Sequence, residues 1–349
     1  MYPQNTATVA QIDQFDEIID VRSPSEFLED HVPGAISAPV LDDEERARIG
    51  TMYVQASPFD AKKAGAALVA INIARHLQEK FHDRPKSWRP LVYCWRGGQR
   101  SGSMTEIFSR IGWPVAQLVG GYKAYRRHVI DELARIPTGL DLRIICGTTG
   151  TGKSRLLRAL AQAGAQVLDL EALARHRGSV LGHLPDESQP SQKMFESGIW
   201  QVLRGCEPGR PIFVEAESKK VGDLRVPEEL MARMRQAPCL RVELDSASRV
   251  SLLRAEYAHF LADPQRLNGQ LDLLVSLHGH ATVAEWKALS NAGNWDELVR
   301  RLLAEHYDPA YLRGMARNFK QYETSPTVAL SGIGEGDFAQ AAARVAAMP

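Results

Sequence analysis

No run of about 18 or more apolar residues occurs in this 349-residue sequence, so nothing in it reads as a membrane span. Neither sign of charge is in excess: 42 Lys and Arg balance 42 Asp and Glu. A global basic field is therefore excluded, and any nucleic-acid partner has to be held by a local basic patch. Cysteine is scarce, with Cys94, Cys146, Cys206 and Cys239 widely spread and no CxxC pair. That argues against a zinc site or a disulfide framework and for a reducing, cytoplasmic setting. The opening residues are polar and Asp13, Asp16 and Glu17 follow soon after, which reads as no signal peptide. The length exceeds one ordinary core, so two domains are expected.

What is present centres on Pro90-Leu-Val-Tyr-Cys94-Trp-Arg96-Gly97-Gly98-Gln-Arg100. An apolar, strand-like run ends in a cysteine, and two glycines, two arginines and a helix start follow. This order predicts a cup of backbone N–H groups at the positive end of a helix dipole, which favours the thiolate. Gly97 and Gly98 are expected to take left-handed dihedrals, and Arg96 and Arg100 to hold an anion at the sulfur. A buried structural cysteine is the competing reading.

Before it, Glu17–Arg22 reads as a short strand ending in charge, with Asp20 and Arg22 as a structural ion pair. Ser23-Pro24-Ser25-Glu26 is a helix start with a capping box. Residues 42–88 are charged and helical, with one long helix over 61–81 whose apolar face is Ala64, Leu68, Ile71, Ala74 and Leu77. After it, a helix over 103–112, a strand over 115–119 and a helix from Gly121 to Leu133 complete a strand–helix alternation that implies a parallel sheet. Residues 136–140 are the natural linker.

The second half opens with another anion device. After the strand Leu142–Cys146, the run Gly147-Thr148-Thr149-Gly150-Thr151-Gly152-Lys153-Ser154 fits G-x-x-x-x-G-K-[ST]. In this motif the amides wrap a phosphate chain, Lys153 neutralises it and the Ser154 hydroxyl can hold magnesium. Arg175, His176, Arg177 and Ser179 follow the next strand, where they suit an anion or ribose phosphate, or form a solvated basic loop. Glu215 and Lys219 end or follow a buried strand, and Glu215 stands where a phosphate-loop enzyme usually has aspartate, which leaves magnesium coordination open. These six are the candidate contacts to substrate. No metal-ligand set is assigned: His278 and His280 lack a third ligand at motif spacing. The segment 246–318 is mainly helical, and Tyr307, Tyr311, Arg313, Arg317, Lys320 and Tyr322 interleave aromatic and basic residues, as an RNA-contacting face or an ordinary helix surface would.

Residues 10–135 resemble the rhodanese family through Asp20-Val-Arg22-Ser-Pro-Ser-Glu26-Phe, His31-Val-Pro-Gly34-Ala-Ile, the Cys94 loop and Gly120-Gly121-Tyr-Lys-Ala-Tyr. The resemblance implies a cysteine able to carry sulfur or selenium. The 42–88 segment is longer than in a minimal rhodanese, and its role is open. Residues 10–345 as a whole resemble the bacterial tRNA 2-selenouridine synthase family, on the two loops together with Ala174-Arg-His-Arg-Gly178-Ser179, Val214-Glu215-Ala-Glu217-Ser218 and Tyr307-Asp308-Pro309-Ala-Tyr311. That resemblance implies an α/β chain: a rhodanese-like parallel sheet with helices on both faces over 1–138, then a P-loop NTPase-like α/β domain over 139–349 with a helical insertion at about 246–320. It implies action on 2-thiouridine at the wobble position of a tRNA anticodon loop, with geranyl diphosphate and selenophosphate as co-substrates and no tightly bound cofactor. The phosphate loop would take the diphosphate; Cys94 would serve the selenium step, with Arg96, Gly97, Gly98 and Arg100 on the selenophosphate. Met194, Phe195, Ile199 and Trp200 are candidates for an isoprenoid pocket, or ordinary core helix. A selenophosphate-supplying enzyme is open as a partner. An ATP-dependent kinase with a regulatory sulfurtransferase domain is the alternative, and Cys94-x5-Arg100 also fits a cysteine phosphatase loop, although Tyr93 stands where those enzymes have His.

Overall fold

Two five-stranded sheets, each parallel throughout, organise the chain in the computed structural model, which describes residues 5–185 and 187–348. The chain divides into two compact units, Met1–Glu132 with Glu196–Gln201, and Leu133–Phe195 with Val202–Pro349.

In the first unit the strands are β1 (Thr6–Ala7), β2 (Glu17–Asp20), β3 (Ile36–Ser37), β4 (Pro90–Tyr93) and β5 (Ala116–Leu118), in the order β1-β5-β4-β2-β3. All four residues of the central β4 are buried, the pattern of a strand covered on both faces. The helices are α1 (Pro24–Glu29), α2 (Asp43–Gln55), α3 (Pro58–His76), α4 (Gln99–Ile111) and α5 (Gly121–Arg135). The expected capping box forms at Ser23, with Pro24 in the first turn. Phe81, Trp88, Phe108 and Trp113 pack ring to ring in the core.

The expected long helix over 61–81 forms as α3, which runs on through a π turn at Leu77–Phe81. With α2 before it the insertion is a hairpin, broken at Ser57-Pro58, where Ser57 caps α3. The buried face of α3 is Ala61, Gly65, Val69, Asn72, Ile73 and His76, while Ile71 is 64% exposed. The face is rotated because Asn72 and His76 turn inward to bond the carbonyls of Val40 and Pro39. Polar groups with buried partners thus displaced the apolar stripe on which the sequence reading relied. The helix after Cys94 also starts a turn earlier than expected, at Gln99.

The second unit holds β6 (Leu142–Cys146), β7 (Gln166–Leu168), β8 (Ile212–Glu215), β9 (Lys220–Val221), β10 (Leu224–Arg225), β11 (Cys239–Glu243) and β12 (Thr327–Ala329). Its main sheet runs β12-β11-β6-β8-β7, with β9 and β10 as a separate antiparallel pair. The helices are α6 (Lys153–Gln162), α7 (Leu170–Ala174), α8 (Gln192–Arg204, whose Glu196–Gln201 belong to the first unit), α9 (Glu228–Gln236), α10 (Ser246–Glu256), α11 (Ala258–Ala262), α12 (Pro264–Leu271), α13 (Val275–Asn291), α14 (Trp295–Leu302), α15 (Asp308–Asn318) and α16 (Glu335–Ala346). Leu156, Leu157 and Leu160 bury one face of α6 against β6 and α16. Helices α10 to α15 form the expected insertion, with a kink at Gly279 (φ +78°) inside α13. Among the described residues, no helix is long and apolar enough to cross a membrane.

Candidate functional site

Each unit presents a loop at the carboxyl end of its central strand, the edge where open α/β sheets bind ligands. In the first, Cys94 follows β4 and is only 3% exposed. Its sulfur accepts hydrogen bonds from the Gly98 N–H (3.2 Å) and the Ser101 hydroxyl (3.1 Å). Gln117 donates to that hydroxyl at 2.7 Å, so Ser101 keeps its own hydrogen for an acceptor such as the sulfur. Burial works against the thiolate and is the largest influence. The donations from Ser101, Gly98 and the Arg96 amide outweigh it and hold the thiol below its usual value.

Gly97 has φ +66°, and a Cβ there would lie 2.7 Å from the Leu118 carbonyl oxygen. Gly98, expected to be left-handed as well, has φ −99° because it serves as the N-cap of α4. The loop is latched from behind by α5: the amides of Tyr122 and Lys123 donate to the carbonyls of Cys94 (2.8 Å) and Trp95 (3.1 Å). Below it lies the buried pair Asp20–Arg22 (2.6 Å), with Tyr93 donating to Asp20 and Arg22 stacked on Tyr122 at 4.0 Å. This pair is structural, as the sequence suggested. Arg96 is exposed on the loop, whereas Arg100 is paired with Glu26 at 2.9 Å. A Cys-x5-Arg phosphate cup needs that arginine facing its anion, so the pairing counts against a phosphatase loop.

In the second unit Gly147–Gly152 joins β6 to α6, with Gly150 and Gly152 both at φ +81°. Space demands these glycines too: a Cβ on Gly152 would meet Phe338 at 2.6 Å, and one on Gly150 would meet Leu253 at 2.8 Å. The Thr151 hydroxyl donates to the Thr148 carbonyl (2.9 Å), Lys153 reaches the Gly147 carbonyl (2.9 Å) and Ser154 donates to Glu171 (3.1 Å). Arg249 holds the Thr149 carbonyl, and the Tyr311 hydroxyl accepts from the Gly147 amide at 2.7 Å. Tyr311 therefore serves the loop; it, Tyr307 and the buried Tyr322 do not share an outward face with the exposed Arg313, Arg317 and Lys320. Of the two readings of these residues, the structure matches an ordinary helix surface, with the rings used in packing. Asp308 opens α15 directly after a π turn at Leu303–Tyr307. His278 bonds His306 at 2.9 Å.

A cavity of about 370 Å³ lies over the loop, walled by Gly150, Gly152, Lys153, Ser154, His176, Arg177, Ser179 and Glu215 among others. Four of the six expected substrate contacts thus converge there. Arg175, at φ +50° on the end of α7, and Lys219 are exposed and do not line it. Arg177 is fixed by the Glu256 carbonyl (2.8 Å) and the face of Tyr257 (4.6 Å).

Sequence reasoning missed three features here. Glu171 and Glu217 join Glu215, with one oxygen of each within 4.8 Å of the others. Burial pushes Glu215 up to about 7, and burial with Glu215 beside it pushes Glu217 up to about 8. Such an oxygen set suits a hard cation. A second cavity, of about 70 Å³ and almost wholly apolar, is walled by Leu253, Tyr257, Phe260, Leu298, Val299, Leu302 and neighbours. It shares Thr149, Ser179, Leu253 and Tyr257 with the phosphate-side cavity. Met194, Phe195, Ile199 and Trp200 line neither, and the last three are closed into the core. The third feature is the Arg249–Asp308 brace behind the loop.

Comparison with known proteins agrees with this geometry. Residues 5–128 match the rhodanese-like domain, and residues 140–272 match the tRNA 2-selenouridine synthase AAA domain. The tRNA 2-selenouridine synthase of Nitrosomonas europaea is 35% identical over 247 residues, covering 69% of this chain and 63% of that protein. That of Marinobacter nauticus is 37% identical over 69% of this chain and 65% of its own length, so the chain aligns with just under two thirds of these two relatives. That of Alcanivorax borkumensis is 32% identical over 84% of this chain and 88% of its own length. Among solved structures, a rhodanese-related protein from Thermoplasma volcanium is similar at 17% identity and a TM-score of 0.24, over 36% of this chain and 92% of that one. With the synthase AAA domain matched over residues 140–272 and a named synthase 32% identical over 84% of this chain and 88% of its own length, the chain belongs to the tRNA 2-selenouridine synthase family.

Proposed function

We propose that this chain converts 2-thiouridine at the wobble position of tRNA to 2-selenouridine through an S-geranyl intermediate, using geranyl diphosphate and selenophosphate. The observation that carries the reading is an apolar cavity adjoining the phosphate cavity, with four wall residues in common. An amphiphile with an apolar chain and a diphosphate head matches that pairing in chemistry, with the apolar side, at about 70 Å³, opening further to take ten carbons; a nucleotide does not need it. The thiocarbonyl sulfur attacks C1 of the geranyl group, the C–O bond breaks, the diphosphate leaves and N3 gives up its proton. The loop amides and Lys153 would take the charge that develops on the departing diphosphate. Glu171, Glu215 and Glu217 with the Ser154 hydroxyl are the groups that would hold magnesium, which would neutralise the same charge. In the second step the selenium of selenophosphate bonds to C2 and geranylthiolate leaves and is protonated; the P–Se bond breaks as water takes the phosphoryl group, releasing phosphate, and N3 regains its proton. The Cys94 cup, with its inward amides and exposed Arg96, supports selenophosphate binding there.

Mass spectrometry of tRNA nucleosides from cells with and without the gene tests this reading. Cells with it should contain 2-selenouridine, and cells lacking it should keep 2-thiouridine. A variant Cys94→Ser should accumulate the S-geranyl nucleoside; persistence of 2-selenouridine in its tRNA overturns the role given to Cys94.

A further inference from the structure

The hairpin of α2 and α3 plays no part in building the Cys94 cup. Every group holding the cup comes from elsewhere: Gly98, Ser101, Gln117 and the start of α5. The hairpin instead forms the far wall of a cleft of about 1000 Å³, whose near wall is the Cys94 loop and the first turns of α4. That volume lies at the upper end of the ~300–1,000 Å³ found for small-molecule sites, far more than a tetrahedral oxyanion fills.

The hairpin side of this cleft supplies Arg46, Tyr53 and Lys62, and the loop side supplies Arg100 and Glu106. Tyr53 is 50% exposed, an aromatic ring that the fold leaves uncovered. Arg46 and Arg100 both pair with one oxygen of Glu26, at 3.0 and 2.9 Å, so a single carboxylate ties the hairpin to the loop and balances only one of the two guanidiniums. Asp43 fixes the base of the hairpin by accepting from the Ser25 hydroxyl at 2.5 Å, and Asn72 fixes it by donating to Glu45. The wall is therefore held in place, with a flat ring and excess positive charge turned toward the sulfur loop. Aromatic stacking combined with cationic side chains is the means by which proteins hold splayed-out RNA bases.

We propose that the α2–α3 hairpin makes the Cys94 cup into a cleft for one unstacked RNA nucleotide, with Tyr53 as the stacking platform and Lys62 and Arg46 on the adjoining phosphates. The inference rests on the reading of tRNA as substrate and adds where its reacting base is held for the selenium step. No part of the cup itself requires the hairpin, so the nucleotide gives this insertion a purpose.

The test uses the full chain and a labelled anticodon stem-loop RNA with 2-thiouridine at the wobble position, followed by fluorescence anisotropy. Tyr53→Ala should weaken binding roughly tenfold and Tyr53→Phe by less than about twofold, since stacking needs the ring and not the hydroxyl. A photoreactive pyrimidine at the wobble position should crosslink to residues 46–62. Because Tyr53 is exposed, the Ala variant should keep the parent Tm, which separates lost stacking from lost folding. Equal RNA affinity for all three proteins, or crosslinks confined to residues outside the cleft, overturns the inference while leaving the tRNA reading intact. Absence of RNA binding by the unaltered chain overturns the tRNA reading and this inference with it.

Discussion

Asp308 grips Arg249 through both carboxylate oxygens, at 2.6 and 3.0 Å, and Arg249 turns its Nε and a second Nη2 hydrogen to the Thr149 carbonyl. A phosphate loop closes on its ligand with backbone amides, so its shape has to be set before the ligand arrives. Asp308→Ala would leave the Arg249 guanidinium, only 11% exposed, without its partner. We expect a loss of roughly 2 kcal/mol, less than for a fully buried pair. Inorganic pyrophosphate affinity should fall about tenfold as the loop loosens. Calorimetric titration with pyrophosphate and a thermal melt read both effects, and Asp308→Asn should be milder in each.

The Ser101 hydroxyl controls a different property, the charge of the Cys94 sulfur. Burial favours the neutral thiol, and the hydrogen bonds overcome it. Ser101→Ala removes one hydrogen bond to an anion, a change that should raise the midpoint of thiolate formation. Alkylation rate against pH measures it directly. Below the midpoint the variant should react more slowly than the parent, and the two should converge at high pH.

Much of this was legible in the sequence because the two loops are contiguous. Cys94 to Arg100 and Gly147 to Ser154 carry their glycines, charges and flanking strands within a few residues, so local chemistry identifies them. The carboxylate triad is not local: Glu171 follows β7, and Glu215 ends and Glu217 follows the neighbouring β8, so only sheet order brings them together. The apolar cavity was invisible for another reason. Leu298 and Leu302 have the spacing of ordinary core residues, and nothing in a sequence marks a core face that fails to close. Tyr311 misled for the same reason in reverse, since an aromatic among arginines reads as a surface until its hydroxyl is found on the Gly147 amide.

Filling the apolar cavity should separate the chain of the ligand from its head. Val299 is a partly buried wall residue, and Val299→Phe adds a ring to a space of about 70 Å³. Geranyl diphosphate should bind at least about tenfold more weakly, since each buried methylene contributes about 0.8 kcal/mol. Inorganic pyrophosphate, which has no chain, should bind as before. Lys153→Ala should weaken both ligands. Equal losses for the two ligands in the Val299 variant would show that the chain lies elsewhere.

The carboxylate triad should make stability fall as pH rises. Glu215 titrates near 7 and Glu217 near 8 in the folded chain, both above the ordinary glutamate value near 4.5. The native state therefore binds more protons than the unfolded chain between those limits. Stability from these groups is complete below about pH 4.5, declines as pH rises toward 8, and is flat beyond. Glu217→Gln, which stays neutral, should flatten the decline between pH 6 and 8 in a series of thermal melts. Millimolar magnesium should offset it most at pH 8, where the carboxylates are free of protons, and little at pH 5.

Two glycines near the Cys94 sulfur should answer differently to the same substitution. A Cβ on Gly121 would lie 2.2 Å from the Cys94 carbonyl oxygen and 2.5 Å from the Gly97 nitrogen, and its φ is +56°. Both contacts are backbone atoms of the cup, which cannot turn aside as a side chain would. Gly121→Ala should therefore push α5 away from the loop, cost at least about 3 kcal/mol and break the donation from the Tyr122 amide to the Cys94 carbonyl. The expected readout is a lowered Tm together with an alkylation midpoint for Cys94 that rises toward the ordinary thiol value. Gly98 has φ −99° and nothing within 4 Å of its Cβ position. Gly98→Ala should keep both the Tm and the midpoint close to those of the parent, even though it sits closer in sequence to the sulfur. If the two variants behaved alike, closeness in the chain, and not the latch of α5 on the loop, would be what shapes the cup.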